Sequence, residues 1–145
     1  MSEGQSFEIQ VIGGYAVNYY GYHRHTHDLD LWIAPTEANK TAFINTLHCM
    51  GYTPGETEDI AEEDFTQHFK CSLGAPPDNI DVLTIIHDDI NFDLAEKEMI
   101  ITKLDDSTEL NLVSYEFLKD AKTRSHRFKD WDDISKLDQM RKGMS

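Results

Sequence analysis

The chain is poor in cysteine and in basic residues, and it contains no long apolar run. Because Cys49 and Cys71 are the only two cysteines, a disulfide framework is excluded and reduced, buried thiols are expected. No stretch approaches the ~20 apolar residues of a membrane span. The N-terminal run MSEGQSFEIQ lacks the basic and apolar regions of a signal peptide. A cytoplasmic protein with no membrane contact is therefore expected.

Basic residues are scarce overall but concentrated at one end of the chain. Thirteen Lys and Arg oppose 27 Asp and Glu, for a net charge of −14. This balance argues against a general nucleic-acid-binding surface, since phosphate contacts need cations. Residues 119–145 nevertheless hold eight of the basic residues against five acids. They could supply charge to an anionic ligand, or pair with the acidic remainder of the chain.

The length and the order of apolar segments indicate one domain, residues 1–145, of mixed helix and strand structure. The composition, 39% hydrophobic and 28% charged, is that of a globular chain. Strands are predicted at 7–12, 28–33, 65–73, 80–86, 99–103 and 109–113. Helices are predicted at 15–20, 37–50, 115–124 and 129–140. This order predicts an α/β (α+β) fold, with a mixed β-sheet, helices packed on it and two C-terminal helices.

Two acidic residues, Asp28 and Asp30, lie one residue apart in a predicted strand. Side chains alternate along a strand, so both carboxylates point to the same side. Such a pair repels itself unless a cation lies between its members, and hard divalent cations bind carboxylate oxygens. The pattern predicts a metal site. A solvent-exposed strand end that happens to carry two acids is the alternative.

A third acid, Asp81, interrupts the apolar run Ile80 to Ile86, which predicts a central strand buried on both faces. A carboxylate is costly to bury there unless it is paired or bound to metal. If this strand neighbours that of Asp28 and Asp30, three carboxylates meet in one patch. That patch would suit two divalent ions and phosphoryl transfer. The alternative is a strand-end residue that caps a neighbouring backbone N–H.

A glycine pair, Gly13 and Gly14, lies between a predicted strand and a predicted helix. Glycine lets the backbone approach a ligand closely, and a helix N-terminus favours an anion. A glycine pair alone is more often only a turn. The Asp-x-Asp pattern that follows it is what makes a phosphate-binding role the stronger interpretation.

The run Ile12-Gly13-Gly14, thirteen residues and then Asp28-Leu29-Asp30-Leu31 resembles the signature of the nucleotidyltransferase superfamily built like the palm of polymerase beta. The longer run GGYAVNYYGYHRHTHDLDLW is similar to the small prokaryotic branch of that superfamily, as is Lys122 with the later Arg127-Phe128-Lys129-Asp130. This branch includes the minimal nucleotidyltransferases and the AbiEii-like proteins of toxin–antitoxin systems. The resemblance covers nearly the whole chain, except that the helix usually preceding the first strand has no counterpart.

The resemblance implies a Mg²⁺-dependent transfer of a nucleoside monophosphate from a nucleoside triphosphate to a hydroxyl acceptor, which could be a protein, a tRNA or a small molecule. Two Mg²⁺ ions are expected, with Mn²⁺ as a substitute. Gly13 and Gly14 would hold the triphosphate, and Asp28 and Asp30 would ligate the metals. Asp81 would bind the catalytic metal and help to deprotonate the incoming hydroxyl.

Five further residues are candidates for nucleotide binding. Arg24 and Thr26 share the strand parity of Asp28 and Asp30, so Arg24 could contact phosphate or pair with an Asp. Three residues of the C-terminal segment could reach the nucleotide, or could equally form surface ion pairs: Lys122, Arg127 and Lys129.

Three other functions remain open. His23, His25 and His27 alternate and could bind zinc, as in a metallohydrolase, but their parity places them opposite Asp28 and Asp30. The chain could instead be a regulatory module of a toxin–antitoxin pair, with little catalysis and a partner protein or a homodimeric contact. It could also modify a small-molecule antibiotic, because those nucleotidyltransferases share the Gly-Gly and Asp-x-Asp pattern and an acidic surface attracts a cationic drug.

Overall fold

The computed structural model describes residues 7–21, 29–75, 79–103, 106–125 and 127–143, with only the backbone described for residues 129 and 141–143. Within these ranges the chain forms six strands and six helices. The strands are β1 (Ile9–Ile12), β2 (Leu29–Ile33), β3 (Lys70–Leu73), β4 (Ile80–Leu83), β5 (Ile100–Lys103) and β6 (Glu109–Leu112). The helices are α1 (Gly13–Tyr19), α2 (Glu37–Cys49), α3 (Glu58–Ala61), α4 (Phe92–Glu98), α5 (Tyr115–Arg124) and α6 (Phe128–Gly143).

The strands form one mixed sheet in the order β3-β4-β2-β1-β6-β5. The β2–β4 and β1–β6 pairs are parallel, whereas β1–β2, β3–β4 and β5–β6 are antiparallel. The predicted fold class, with its mixed sheet and two C-terminal helices, is therefore confirmed.

The pairing register aligns two neighbouring rows of residues on one face of this sheet. The first row crosses four strands and consists of Ile12, Asp30, Asp81 and Ser72. The second row lies two residues away from the first on each strand and consists of Gln10, Trp32, Leu83 and Lys70. Residues paired in register point to the same face, and so do residues two apart on one strand. This face therefore carries both carboxylates and Lys70.

The core lies on both faces of the sheet. On the face opposite these rows, Ile33 and Val82 pack with Phe43, Leu47 and Phe65. On the face that carries the rows, Trp32 packs against Phe92 and Ala95 of α4. A third cluster joins the sheet to α1 and the C-terminal helices through Val11, Val17, Leu112, Leu118 and Leu137. Burial of these apolar side chains is the main force that holds the helices on the sheet.

Two predicted helix starts are confirmed by their caps. The Thr36 hydroxyl accepts a hydrogen bond from the Asn39 backbone N–H (3.1 Å) at the start of α2. The Ser114 hydroxyl does the same for the Phe117 N–H (3.2 Å) at the start of α5. Each cap satisfies a helix N–H that has no carbonyl partner within the helix.

The strands predicted at 65–73 and 80–86 are shorter than the sequence pattern suggests. Extended pairing is limited to Lys70–Leu73 and Ile80–Leu83. Phe65 and Phe69 are buried through a turn and stack on each other with ring centroids 4.6 Å apart, so their apolar alternation reflects core packing rather than a strand. The prediction that the Asp81 strand is buried on both faces is wrong, because Val82 alone in it is fully buried.

The apolar stripe predicted for the last helix is also partly wrong. Leu137 is buried, but the side chains of Trp131 and Met140 are exposed. The buried face of α6 includes Asp130 and Asp133 instead, since these carboxylates pair with a buried lysine of α5. The expectation of two buried thiols fails for Cys49, which is exposed, while Cys71 is half-buried; both are free. No helix among the described residues is long and apolar enough to cross a membrane.

Candidate active site

A cleft of about 470 Å³ opens between this face of the sheet and the C-terminal helices, and it is lined by five residues of the two rows: Ile12, Asp30, Asp81, Leu83 and Lys70. Six of the predicted site residues line it: Gly13, Gly14, Asp30, Asp81, Lys122 and Arg127. Three others, Arg24, Thr26 and Asp28, lie outside the described residues, as do the three alternating histidines and the side chain of Lys129. Residues more than a hundred positions apart in sequence thus meet in one cavity.

Gly13 and Asp30 are in close contact at the end of β1. The Gly13 backbone has φ +71°, in the left-handed region that side chains disfavour. A Cβ added there would overlap Oδ2 of Asp30 and lie 2.9 Å from its Cγ. Helix α1 begins at Gly13 itself, two residues earlier than predicted, and Gly14 is buried in its first turn. The absent side chain is therefore what allows the Asp30 carboxylate to lie against the backbone.

Asp81 is fixed beside Asp30 by the β2–β4 register and by two hydrogen bonds. The two residues are Cα partners on adjacent parallel strands, whose spacing is about 5 Å. The Ser72 hydroxyl and the Asn79 side-chain amide (3.0 Å) both donate to Oδ1 of Asp81. Both donors are side chains, whereas the alternative role predicted for Asp81 was to accept a hydrogen bond from a neighbouring backbone N–H. Because Asp81 is half-buried rather than enclosed, its charge costs less than a position in a closed core would.

The two carboxylates suit a hard divalent cation. Two negative groups on neighbouring strands repel each other, and oxygen ligands are those that Mg²⁺ prefers. Among the described residues, no group of three or more His, Cys, Asp or Glu side chains is arranged to hold a metal. The third predicted ligand, Asp28, precedes the described start of β2 by one residue. The donor set formed by Asp30 and Asp81 fits part of a Mg²⁺ site.

Lys122 is buried in an ion-pair network between α5 and α6. Its side chain donates to Oδ1 of Asp130 (2.8 Å) and to Oδ2 of Asp133 (3.0 Å). The alternative of a surface ion pair for Lys122 is therefore wrong, since Lys122, Asp130 and Asp133 are all at least 90% buried. The network lies at the wall of the cleft, where Lys122 and Asp130 both contribute to the lining. It joins the two C-terminal helices at the site.

The charge state of Asp130 follows from this network. Burial tends to raise the pKa of Asp130, but hydrogen bonds from Lys122 and Ser125 and the charges of Lys122 and Arg127 outweigh it, so that the pKa lies below its usual value. Ser125 donates its hydroxyl to Oδ2 (2.6 Å), the oxygen that Arg127 also contacts. Asp130 therefore stays ionised at neutral pH and orients the Arg127 side chain.

Arg127 lies at the rim of the cleft with most of its side chain in solvent. Its side chain is 76% exposed, and its Nε and Nη2 atoms are each 2.9 Å from Oδ2 of Asp130. The Nε/Nη2 edge of the guanidinium is thus bound to Asp130, and the exposed remainder is accessible to a ligand. An arginine held in this way can give parallel hydrogen bonds to a phosphate.

Sequence reasoning missed several residues that line the cleft. Arg124 pairs with Asp120 (3.0 Å) and Asp89 (3.3 Å), and the ring Nδ1 of His87 accepts the Asp89 backbone N–H (3.1 Å). Lys70 lines the opposite side, on β3. The alternation of Lys70 with Ser72 could have placed both on one strand face, but the pairing of β3 with β4 was needed to bring them to the site. Asp130 belongs to the motif quoted above and could have been found there.

Part of the cleft surface is apolar. Leu83 and Ile86 form part of its surface, together with Phe117 and Ala121 of α5. Apolar walls with a few placed polar groups are typical of small-molecule sites. The cleft therefore combines an acidic end, an apolar surface and a rim of cationic side chains.

Comparison with known protein-family models and with curated proteins found no family and no protein that matches this chain. The geometry of the cleft and the residue pattern of the chain are what support a function.

Proposed function

We propose that this protein is a Mg²⁺-dependent nucleotidyltransferase that moves a nucleoside monophosphate from a nucleoside triphosphate to a hydroxyl acceptor. The observation that carries the proposal is the in-register pairing of Asp30 with Asp81 in the cleft lined by Gly13 and Gly14. The spacing of these residues in sequence resembles that of the polymerase-beta-like superfamily. Their meeting in space supports the same interpretation on independent grounds.

The acidic end of the cleft suits the reacting phosphate. Asp30 and Asp81, with Asp28 as the predicted third ligand, would hold Mg²⁺. The metal would offset the negative charge of the phosphates as the bond to the leaving pyrophosphate breaks. At Gly13 the absence of a side chain keeps the backbone close to Asp30, so that phosphates can approach both. Exposed guanidinium atoms of Arg127 can bind the outer phosphates.

Asp81 is suited to act on the acceptor. The hydrogen bonds from Ser72 and Asn79 orient its carboxylate through Oδ1. A carboxylate with fixed orientation can accept the proton of an incoming hydroxyl as the oxygen attacks the α-phosphorus. The apolar surface formed by Leu83, Ile86 and α5 offers space for the nucleoside or for the acceptor body.

The proposal is tested by label transfer. Purified protein is incubated with α-³²P-labelled nucleoside triphosphates, Mg²⁺ and separated small-molecule, RNA and protein fractions of a cell extract. We expect Mg²⁺-dependent labelling of one fraction, at least a hundredfold weaker for Asp30→Asn and Asp81→Asn. Asp93→Asn, an exposed acid on α4, is the matched control and should label like the wild type. Labelling unchanged in both site variants would overturn the proposal.

A second candidate function, a binding module with little catalysis, is favoured by two exposed aromatic residues on α6. The Phe128 side chain is 81% exposed and that of Trp131 is 48% exposed, one helical turn apart. Exposed aromatic groups of this size are characteristic of contact surfaces between proteins. Basic residues lie nearby in sequence, including Arg124 and Arg127. A partner protein with an apolar patch and an acidic rim would fit this surface.

The two functions are separated by a double variant of the aromatic surface, Phe128→Ser with Trp131→Ser. If the protein is chiefly a binding module, this variant loses its partner from a pull-down, whereas Asp30→Asn and Asp81→Asn retain it and no nucleotide turns over. If it is a transferase, the carboxylate variants lose label transfer and the double variant keeps most of it.

A further inference from the structure

Lys70 lies on the same sheet face as the two carboxylates, at the edge formed by β3. It pairs with Leu83, and Ser72, the partner of Asp81, is two residues further along the strand. Two residues of a strand span about 7 Å, and their side chains point to the same face. The extended Lys70 side chain can therefore reach a group bound beside Asp81, and Lys70 lines the cleft.

The other cationic side chains of the cleft already have acidic partners. Lys122 is bound by Asp130 and Asp133, and Arg127 contacts Asp130. Arg124 is paired through Asp120 and Asp89. Over the described ranges of the chain, Lys70 has no such partner, and it is exposed. The ammonium charge of Lys70 is not neutralised by any described acid, and it is therefore available to a ligand.

The order of strands separates the two sides of the reaction. Gly13 and Gly14 follow β1, Asp30 is on β2, Asp81 is on β4 and Lys70 is on the outer strand β3. In phosphoryl transfer the attacking and leaving oxygens lie roughly in line on opposite sides of the phosphorus. A triphosphate held at Gly13 and Gly14 therefore leaves the β3 side of the carboxylates for the acceptor. That side is where Lys70 lies.

We propose that Lys70 binds an anionic group of the acceptor, so that the acceptor is a hydroxyl compound that also carries a phosphate or a carboxylate. This inference rests on the proposed transferase function and narrows its substrate class. The hydroxyl would lie at Asp81 and the anionic group within reach of the Lys70 ammonium. A cationic acceptor such as an aminoglycoside would be repelled at this position.

The test is binding of three small hydroxyl compounds that differ in one group: glycerol, glycerol 3-phosphate and glycerate. Each is titrated calorimetrically at constant ionic strength into protein saturated with Mg²⁺ and an α,β-methylene nucleoside triphosphate, which occupies the donor side without reacting. We expect at least one anionic compound to bind ten times or more tighter than glycerol to wild type and Lys70→Arg. The anion that binds tighter identifies the preferred group. Lys70→Met should abolish the preference.

The matched control is Lys103→Met, which alters an exposed lysine on the opposite edge strand β5 and should behave like the wild type. Equal binding of all three compounds to the wild type, or a preference that survives Lys70→Met, would overturn the role of Lys70. So would a tenfold loss of nucleotide affinity in Lys70→Met, since the lysine would then serve the donor. Failure of the nucleotide analogue to bind the wild type at all would count against the proposed function instead.

Discussion

The Asp30 carboxylate occupies the space in which a Gly13 side chain would lie. A Cβ at Gly13 would overlap Asp30 Oδ2 and lie 3.0 Å from Asp30 Cβ. The backbone of Asp30 is held in the sheet by pairing with Ile12 and Asp81, so a side chain at position 13 would force the Asp30 carboxylate to rotate away or β2 to shift. The glycine and the carboxylate therefore form one structural unit, although sixteen residues separate them in sequence.

We expect Gly13→Ala to impair both folding and nucleotide binding. The alanine would adopt a left-handed conformation, at a cost of about 1 kcal/mol, and would displace the Asp30 carboxylate from the cleft. Urea unfolding should show a loss of stability greater than that cost. Calorimetric titration with an α,β-methylene nucleoside triphosphate in the presence of Mg²⁺ should show that Gly13→Ala binds this analogue at least ten times more weakly than the wild type.

Gly51→Ala is the control for Gly13→Ala. Gly51 has φ +108° with nothing within 4 Å of an added Cβ, so alanine there meets only the backbone cost. Its stability loss should be about 1 kcal/mol, with unchanged nucleotide binding. Equal effects of the two substitutions would contradict the importance of the Gly13–Asp30 contact.

Replacement of Lys122 by Met should destabilise the protein strongly. It would leave two buried carboxylates, Asp130 and Asp133, without their shared cation, and breaking a buried pair in this way costs about 3–5 kcal/mol. Lys119→Met on the same helix removes a partly exposed pair with Asp138 (3.2 Å) and should cost at most about 1 kcal/mol. Urea unfolding at pH 7 measures both. Similar losses for the two variants would show that the network adds little to stability.

The Asp130 network should make stability depend on acidity. The pKa of Asp130 is lowered in the folded protein, so its contribution is complete above the pKa of the unfolded chain, about 4, and is lost as pH falls through the lower folded value. The stability difference between wild type and Asp130→Asn should therefore be largest at pH 6–7 and shrink below about pH 4. Urea titrations between pH 3 and 7 measure it. A difference that grows on acidification would have the wrong sign.

The two cysteines should differ in reactivity. Burial, and then the negative charge of Asp81, raise the pKa of Cys71 to about 11, so this thiol stays protonated near pH 8. Cys49 is exposed. Iodoacetamide at pH 8 should alkylate Cys49 at least ten times faster than Cys71 in the native protein, as followed by peptide mass spectrometry. The rates should converge in urea, and comparable native rates would be inconsistent with the position of Cys71 in the sheet.

The fold class and much of the site could be predicted because they depend on local patterns. The glycine pair and the caps at Thr36 and Ser114 are determined by neighbouring residues, whereas the strand parity predicted for Arg24, Thr26 and Asp28 falls outside the described residues. The sequence predicts that Asp81 meets Asp30 only if their two strands are neighbours, because strand order depends on packing across the whole chain. In the structure β2 and β4 are neighbours, and Asp30 and Asp81 are register partners.

The errors have a common cause, which is that tertiary contacts override local periodicity. Phe65 and Phe69 alternate like strand residues but stack in a turn within the core. The buried face of α6 carries Asp130 and Asp133, because Lys122 approaches from α5 and needs acidic partners. Trp131, which apolar patterning assigns to the core, is consequently exposed. Lys70 could not be assigned to the site until the pairing of β3 was known.

The central claim is that Asp30 and Asp81 bind a nucleoside triphosphate together with Mg²⁺. The most direct measurement is calorimetric titration of the wild type, Asp30→Asn, Asp81→Asn and the control Asp93→Asn with a methylene nucleoside triphosphate, with and without Mg²⁺. We predict Mg²⁺-dependent binding to the wild type and the control, at least a hundredfold weaker in both site variants. Binding that is independent of Mg²⁺, or equally tight in the site variants, would contradict the claim.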